Sequence, residues 1–206
     1  MSLLTEPVEI VPDMWLLPGF ASGEQLQPEI DRIIELAPLR HMQTQRGHPM
    51  SVAMTNCGDV GWTSDRRGYR YSPTDPESGQ SWPAIPAGFK TLATTAAEEA
   101  GFPGFHPDAC LINQYKPGAQ MGAHQDRNEC DYDQPIVSVS LGITARFFVL
   151  GEEKRGTSTS VDVHDGDVVV FGGTARRFFH GVRKLKASMH PRTGDTRWNL
   201  TFRVAQ

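Results

Sequence analysis

One histidine and one aspartate in the sequence have a spacing that is suited to binding a metal ion. His124 and Asp126 lie two residues apart, so in an extended segment both side chains point to one face. An Fe(II) oxygenase holds its metal through two histidines and one carboxylate on a single triangular face, which leaves the opposite face open for cosubstrate and dioxygen. The same spacing recurs at His106 and Asp108, but a proline between them in a Gly- and Pro-rich stretch indicates a loop.

A second histidine must come from elsewhere, and His180 is the best candidate. It follows a predicted buried strand and lies in an extended-looking segment of its own, residues 177–182. Two other histidines compete for the position. His164 lies in a predicted turn and His190 precedes a proline, so both are interpreted as surface histidines.

The segment 196–204 is the clearest predicted strand. Its side chains alternate with period two, so one face is apolar and the other is polar. A polar face of this kind fits a surface strand, and it fits equally well the anion-binding interior of a barrel. The apolar face comprises Trp198, Leu200, Phe202 and Val204, and the polar face comprises Arg197, Asn199, Thr201 and Arg203.

Arg197 suits the far carboxylate of 2-oxoglutarate, the dicarboxylic cosubstrate of an Fe(II) oxygenase. Its planar guanidinium binds a carboxylate through two parallel hydrogen bonds and keeps its proton. Arg203 lies on the same face of the strand. Asn113 and Tyr115 share a face of another predicted strand, and we expect them to donate to cosubstrate oxygens.

The elements that must position these residues are two helices followed by many short strands. This order predicts a mainly β (α+β) fold, a β-sandwich or jelly roll with the helices packed on one side. Residues 1–20 are interpreted as a short extension that contains an apolar piece at 14–17. The predicted helices are 24–36 and 86–100, and the predicted strands are 109–115, 136–141, 145–150, 159–163, 167–171 and 196–204.

Composition narrows the class of protein. The 206 residues fit one domain, and because no run of 18 or more apolar residues occurs, a transmembrane helix is excluded. The three cysteines have no paired spacing and the N-terminus lacks a secretory signal, so a cytoplasmic protein with reduced thiols is expected. We expect a monomer without an obligate protein partner.

The net charge of −4 argues against a protein that holds nucleic acid through a global positive field. Local basic clusters remain compatible with this charge. For each cluster taken alone, solvated surface charge is the favoured interpretation. The clusters are Arg66, Arg67 and Arg70; Arg176 and Arg177; and Arg183, Lys184 and Lys186.

Several ordered blocks of the sequence resemble the bacterial AlkB alkylation-repair proteins. The resemblance runs in register over about 45–204, which makes it far more specific than the spacing of three metal ligands. The blocks upstream resemble the lid that this family lays over its substrate. The matching blocks are 108–119, 124–126, 135–142, 166–173, 180–181 and 197–203, with 50–58, 61–62 and 69–73 upstream.

This resemblance implies a double-stranded β-helix (jelly-roll) domain, with a nucleotide-recognition lid at about 45–75 and a catalytic core at about 108–204. It implies Fe(II) on His124, Asp126 and His180, and O2 as the oxidant. It further implies that 2-oxoglutarate is held by Asn113, Tyr115, Arg197, Asn199 and Arg203, and that Trp62, Tyr69, Tyr71, Asn128 and Arg155 lie around the flipped base or its strand.

The implied function is oxidative demethylation of N-alkylated bases, such as 1-methyladenine and 3-methylcytosine, in single-stranded or duplex DNA, with RNA as a further candidate. Asn128 stands where close bacterial relatives carry an acidic residue, and the region 151–160 also differs, which affects the role of Arg155. Two alternatives remain open. One is the same chemistry on a protein or small metabolite, and the other is a binding module with a structural metal.

Overall fold

A computed structural model describes residues 6–206, which form thirteen strands, two α-helices and one 3-10 turn. No helix among these residues has both the length and the apolar character needed to cross a membrane. In chain order the elements are β1 (Val8–Val11), β2 (Met14–Leu17), α1 (Gly23–Leu36), β3 (Ala53–Gly58), β4 (Gly61–Asp65), β5 (Gly68–Ser72), α2 (Ala87–Glu99), β6 (Ala109–Tyr115), β7 (Met121–His124), β8 (Ile136–Gly142), β9 (Ala145–Gly151), β10 (Thr159–Val163), β11 (Val168–Phe171), the 3-10 turn Gly173–Arg177, β12 (Phe179–Val182) and β13 (Arg197–Arg203).

The strands form two facing sheets and one separate hairpin. The major sheet has seven strands in the order β1-β2-β11-β8-β13-β6-β3, and the minor sheet has four in the order β10-β9-β12-β7. All of the pairings within these sheets are antiparallel. The hairpin β4–β5 pairs only with itself. This arrangement confirms the predicted jelly roll with flanking helices.

The major sheet buries side chains on both faces, because successive residues of a strand point to opposite sides. On β11, Val168 and Val170 pack with the helices, whereas Val169 and Phe171 belong to the layer between the two sheets. Helices α1 and α2 thus cover the outer face of the major sheet. The inner face is left to line the space between the sheets, where polar side chains of β6 and β13 gather.

Both predicted helices and the six predicted strands are present, with ends that differ by one residue at most. The segment expected to be an extension instead supplies β1 and β2 to the edge of the major sheet, where β2 pairs with β11. Its first five residues lie outside the described part of the chain. Strands β3, β4, β5 and β7 were not predicted from the pattern.

Candidate active site

The predicted metal ligands meet at one point between the sheets. His124 ends β7 and His180 lies on β12, and these two residues are direct partners in the antiparallel pairing of the two strands. Asp126 follows β7 by two residues. One ligand atom from each of the three side chains lies within 4.8 Å of the others. Next to His180, a Cβ at Gly181 would lie 2.5 Å from the Met121 carbonyl oxygen of β7 and 2.8 Å from the Phe148 ring, so glycine allows β12 to lie this close to both.

Both imidazoles are oriented by backbone carbonyls. Nδ1 of His124 lies 2.9 Å from the Gly122 carbonyl oxygen, and Nδ1 of His180 lies 3.1 Å from that of Phe178. A carbonyl only accepts, so each Nδ1 must carry the proton, which leaves the lone pair on Nε2. Each Nε2 lies 3.8 Å from a carboxylate oxygen of Asp126. Metal-binding histidines in proteins commonly have their second nitrogen held in this way.

The protonation states also suit a divalent cation. Burial, with His124 beside it, lowers the pKa of His180 to about 4, so this imidazole is neutral near pH 7. Burial would raise the pKa of Asp126, but Arg203 and the two histidines outweigh it and hold the pKa well below its usual range. Asp126 Oδ2 is buried and lies 3.2 Å from Arg203 Nη2, but no contact within residues 6–206 gives it a well-aligned hydrogen bond. The three side chains therefore offer two lone pairs and one anionic oxygen to a metal.

Arg197 is a buried cation with no anionic partner in residues 6–206. Its side chain is only 2% exposed, and its guanidinium lies 4.8 Å from the centre of the Tyr115 ring. Nη2 donates to Ser140 Oγ at 2.9 Å, while Nε and Nη1 find no partner in the described chain. Burial lowers the pKa of Arg197. A buried charge without a counter-ion costs several kcal/mol, so this arrangement is suited to an anionic ligand.

The other predicted cosubstrate residues line the same cavity as the triad. Asn113 is buried, and its Nδ2 donates to Asn199 Oδ1 at 3.3 Å while its own Oδ1 has no partner in residues 6–206. Asn199 Nδ2 donates to Ser138 Oγ at 2.9 Å. The polar face of β13 is thus interior, and the surface-strand alternative for it was wrong. The cavity is lined by residues of both sheets, among them Asn113, Tyr115, His124, Asp126, His180, Arg197, Asn199 and Arg203.

Arg203 lies at the metal end of this cavity. Its Nη2 is 3.2 Å from Asp126 Oδ2, and its Nε is 3.4 Å from Glu129 Oε1. Burial would lower the pKa of Arg203, but these carboxylates and Tyr71 raise it well above its usual range. Arg203 thus touches the metal carboxylate directly, and its contact with 2-oxoglutarate stays a prediction.

The predicted lid residues separate into two groups. Trp62 of β4 and Tyr69 of β5 stack with ring centres 5.5 Å apart, and both line a second cavity that reaches His124 and Asp126. Asn128 lines it too, and its Oδ1 accepts a hydrogen bond from Trp62 Nε1 at 3.3 Å. Tyr71 points elsewhere, with its hydroxyl donating to Glu129 Oε1 at 2.6 Å.

Arg155 is exposed in the region between β9 and β10 and is not among the residues that line this second cavity. Its predicted role in substrate binding stays a prediction. His164 and His190 lie outside the triad, beside Thr144 and Asp165 respectively. Asp108 instead accepts hydrogen bonds from the backbone N–H groups of the last two residues, which gives the second His-x-Asp pattern a structural role.

Two charged residues of the site were missed from the sequence. Arg176, interpreted there as surface charge, is 2% exposed, and that interpretation was wrong. The reason is Glu129, itself 6% exposed, whose Oε2 lies 3.4 Å from Arg176 Nη2. Both residues lie in segments rich in charge that pattern analysis assigns to the surface. In the sequence, Glu129 could have been connected with the site only through its position three residues after the predicted metal carboxylate.

Comparisons with known proteins agree with this geometry. The 2OG-Fe(II) oxygenase superfamily model matches residues 13–203. The chain is 50% identical to the "Alpha-ketoglutarate-dependent dioxygenase AlkB" of Escherichia coli over 187 residues, which cover 91% of this chain and 87% of that protein. It is 30% identical to the "Nucleic acid dioxygenase ALKBH1" of Mus musculus over 119 residues, covering 57% and 31% of the two chains. The solved structure of OsALKBH1 superposes with a TM-score of 0.84 at 28% identity and covers 96% of this chain and 99% of its own.

The site residues fit Fe(II) and 2-oxoglutarate, the metal and cosubstrate that this superfamily uses. Two imidazoles and one carboxylate suit Fe(II), and the nitrogens of Arg197 that have no partner in residues 6–206 suit the distal carboxylate of 2-oxoglutarate. The chain belongs to the AlkB family of the 2OG-Fe(II) oxygenase superfamily, and its cofactors are Fe(II), 2-oxoglutarate and O2.

Proposed function

We propose that this protein oxidatively removes methyl groups from the nitrogen atoms of nucleic-acid bases. The observation that carries the proposal is a pair of neighbouring cavities that share His124 and Asp126 in their walls. One is lined by the three metal ligands and Arg197, and the other extends from His124 and Asp126 to the aromatic hairpin β4–β5. The first suits the cosubstrate and the second suits a flat ring. The AlkB and ALKBH1 names of the relatives support the same interpretation.

Fe(II), 2-oxoglutarate and O2 together supply the oxidation: one oxygen atom enters the N-methyl group, and the other enters succinate as CO2 is lost. In the resulting N-hydroxymethyl base the N–C bond breaks and the hydroxyl proton is lost, which releases formaldehyde and restores the unmodified base nitrogen. The chain's own residues position these reactants. His124, Asp126 and His180 would hold the metal, and Arg197 would bind the carboxylate at the far end of the cosubstrate.

The second cavity is suited to a single unstacked base. A base inside a duplex cannot reach a buried metal, so it must be flipped out or arrive in a single strand. Stacking on an aromatic side chain contributes about 1–3 kcal/mol per base, which helps to offset the loss of stacking in the strand. Trp62 and the His124 ring, which line this cavity together, are the proposed sandwich. We propose DNA as the main substrate and RNA as a second one.

Asn128 bears on which methylated base is preferred. Since the indole N–H of Trp62 only donates, it fixes the carbonyl oxygen of the Asn128 amide towards itself. The amide N–H groups are then the atoms left to meet a base in the cavity. An acidic residue at this position would accept hydrogen bonds only. We therefore propose that this chain tolerates bases with an exocyclic oxygen better than a variant with aspartate does.

The test is turnover of a methylated single-stranded oligonucleotide. Succinate and formaldehyde should form together with an oligonucleotide that contains 1-methyladenine or 3-methylcytosine, and formaldehyde should be absent with the unmodified one. The nucleic-acid substrate is refuted if the methylated oligonucleotide yields no more succinate and formaldehyde than the unmodified one does. A protein or small-metabolite substrate then becomes the better explanation. If no 2-oxoglutarate is consumed under any condition, a binding module is favoured.

A further inference from the structure

A buried ionic network connects the β4–β5 hairpin to the metal carboxylate. Four charged side chains form it: Asp126, Glu129, Arg176 and Arg203. All four side chains are at most 10% exposed. Two are anions and two are cations, so the network is neutral before any metal binds. Within residues 6–206, the hairpin joins this network through one hydrogen bond, from the hydroxyl of Tyr71.

Glu129 is the centre of this network. Its Oε1 accepts from the Tyr71 hydroxyl at 2.6 Å and lies 3.4 Å from Arg203 Nε. Its Oε2 lies 3.4 Å from Arg176 Nη2. One carboxylate therefore touches both arginines and the hairpin, although it lies in an irregular segment whose neighbouring residues Asn128 and Cys130 are exposed.

The two arginines hold Asp126 from two sides. Arg203 Nη2 lies 3.2 Å from the carboxylate oxygen Oδ2, and Arg176 Nη1 donates to the backbone carbonyl of the same residue at 3.2 Å. Arg176 is also held by the Gln134 carbonyl, to which its Nε donates at 2.9 Å. Any shift of Glu129 must therefore move the groups that fix the direction and charge of Asp126.

We propose that Glu129 is a positioning residue that links the hairpin to the metal centre, so that a base bound under the hairpin changes the environment of Asp126. The path runs from the Tyr71 hydroxyl through Glu129 and Arg203 to the carboxylate that binds the metal. Its consequence is that oxidation of the cosubstrate is favoured when a substrate is in place. The part of this inference that concerns the bound base rests on the proposed function, while the part that concerns Asp126 does not.

Two variants separate the two ends of the path. Glu129→Gln removes one of the two anions, so Arg176 loses its carboxylate partner and Arg203 keeps only Asp126. A net positive charge then remains beside the metal site, and Arg203 pairs more closely with Asp126. We expect Mn(II) affinity to fall about 10- to 100-fold, as is found when partners of metal ligands are removed. Tyr71→Phe keeps all four charges, so we expect Mn(II) affinity within about threefold of the parent protein.

The control is Asp133→Asn, which removes one negative charge from an exposed residue of the same segment. It should leave Mn(II) affinity and turnover unchanged. This titration needs no nucleic acid, so it tests the network even if the proposed function fails. Unchanged Mn(II) affinity in folded Glu129→Gln protein would overturn the proposal, as would an equal loss in Asp133→Asn.

The second readout is the visible charge-transfer band of the anaerobic complex with Fe(II) and 2-oxoglutarate. Methylated oligonucleotide should shift this band in the parent protein, and the shift should be lost in both Tyr71→Phe and Glu129→Gln. The double variant should behave as Glu129→Gln alone, because both changes interrupt one path. Succinate formed per formaldehyde released should rise above the parent ratio in each variant.

Tyr71→Phe also keeps the test decisive if Glu129→Gln does not fold, because it changes one hydroxyl of a partly exposed residue. A parent-like band shift and parent-like product ratio in Tyr71→Phe, with the oligonucleotide bound, would overturn the link. Failure of the oligonucleotide to bind the parent protein would instead refute the proposed substrate, and the Mn(II) titration would then decide the role of Glu129 by itself.

Discussion

Replacing Arg197 with methionine should abolish cosubstrate binding without unfolding the protein. Arg197 is 2% exposed, and because its Nε and Nη1 have no partner in residues 6–206, the guanidinium has N–H groups available for 2-oxoglutarate. Hydrogen bonds between charged groups contribute about 1.5–3 kcal/mol each. Two of them correspond to about 3–6 kcal/mol, or a loss of affinity of about 10²- to 10⁴-fold.

The same substitution should weaken cosubstrate binding without lowering the free energy of unfolding of the ligand-free protein. Arg197→Met removes a buried charge that has no counter-ion among the described residues, and such a change is commonly neutral or stabilising. The lost contacts with Ser140 and Tyr115 act against this gain. We expect the free energy of unfolding to stay within about 1 kcal/mol of the parent value or to exceed it. A structural role for Arg197 would lower it clearly.

Thermal unfolding with and without 2-oxoglutarate, in the presence of Mn(II), measures both effects. At a concentration 100 times the parent Kd, the ligand stabilises the parent protein by about 2.7 kcal/mol. For a chain of this length that is a rise in Tm of about 5–11 °C. In Arg197→Met the rise should be about 1 °C or less, because the ligand concentration no longer exceeds Kd.

The control for this measurement is Arg32→Met on the exposed side of α1, where the arginine pairs with Glu29 and with no other acidic residue of the described part of the chain. It should keep the full rise in Tm. Retention of the full rise in Arg197→Met would refute the assignment of this residue to the cosubstrate. A Tm of the ligand-free variant many degrees below the parent would show that the charge is needed for folding.

Three further predictions concern the metal and the base. His180→Ala should abolish formaldehyde release while the circular dichroism spectrum stays that of the parent protein; retained turnover would remove His180 from the metal site. Trp62→Ala should weaken binding of a methylated single-stranded oligonucleotide by about 5- to 150-fold, the equivalent of one lost stacking contact, and fluorescence anisotropy that shows no loss would contradict its place beside the base. Asn128→Asp should lower the ratio of kcat/KM for 1-methylguanine over 1-methyladenine by about 2- to 10-fold, the value of one hydrogen bond; an unchanged or higher ratio would contradict the orientation of the amide that Trp62 imposes.

The metal ligands and Arg197 were accessible from the sequence because their placement follows from local rules. A spacing of two residues puts His124 and Asp126 on one face, and the period of β13 puts Arg197 on its polar face. His180 required only the expectation that a strand follows β11. The resemblance to the AlkB proteins added Trp62, which the structure places on the wall of the second cavity.

The rest depended on contacts that no local pattern carries. Strand β3 is fully buried but includes polar residues, and their partners lie elsewhere: Thr55 donates to the Ala37 carbonyl at 2.7 Å, and Asn56 binds the backbone of Trp62. The burial of Glu129 and Arg176 likewise depends on each other and on Asp126. From sequence, a charged residue is assigned to the surface, because charged residues are rarely buried unless they are paired. The partner that permits burial is distant in the sequence, so the sequence pattern does not reveal it.

The most direct test of the proposed active site is a crystal structure obtained anaerobically with Fe(II), 2-oxoglutarate and a methylated trinucleotide. It should show the metal bound by His124, Asp126 and His180, the distal carboxylate on the guanidinium of Arg197, and the methylated base between Trp62 and the His124 ring. A metal bound elsewhere, or a cosubstrate whose distal carboxylate lies away from Arg197, would contradict this assignment of the site.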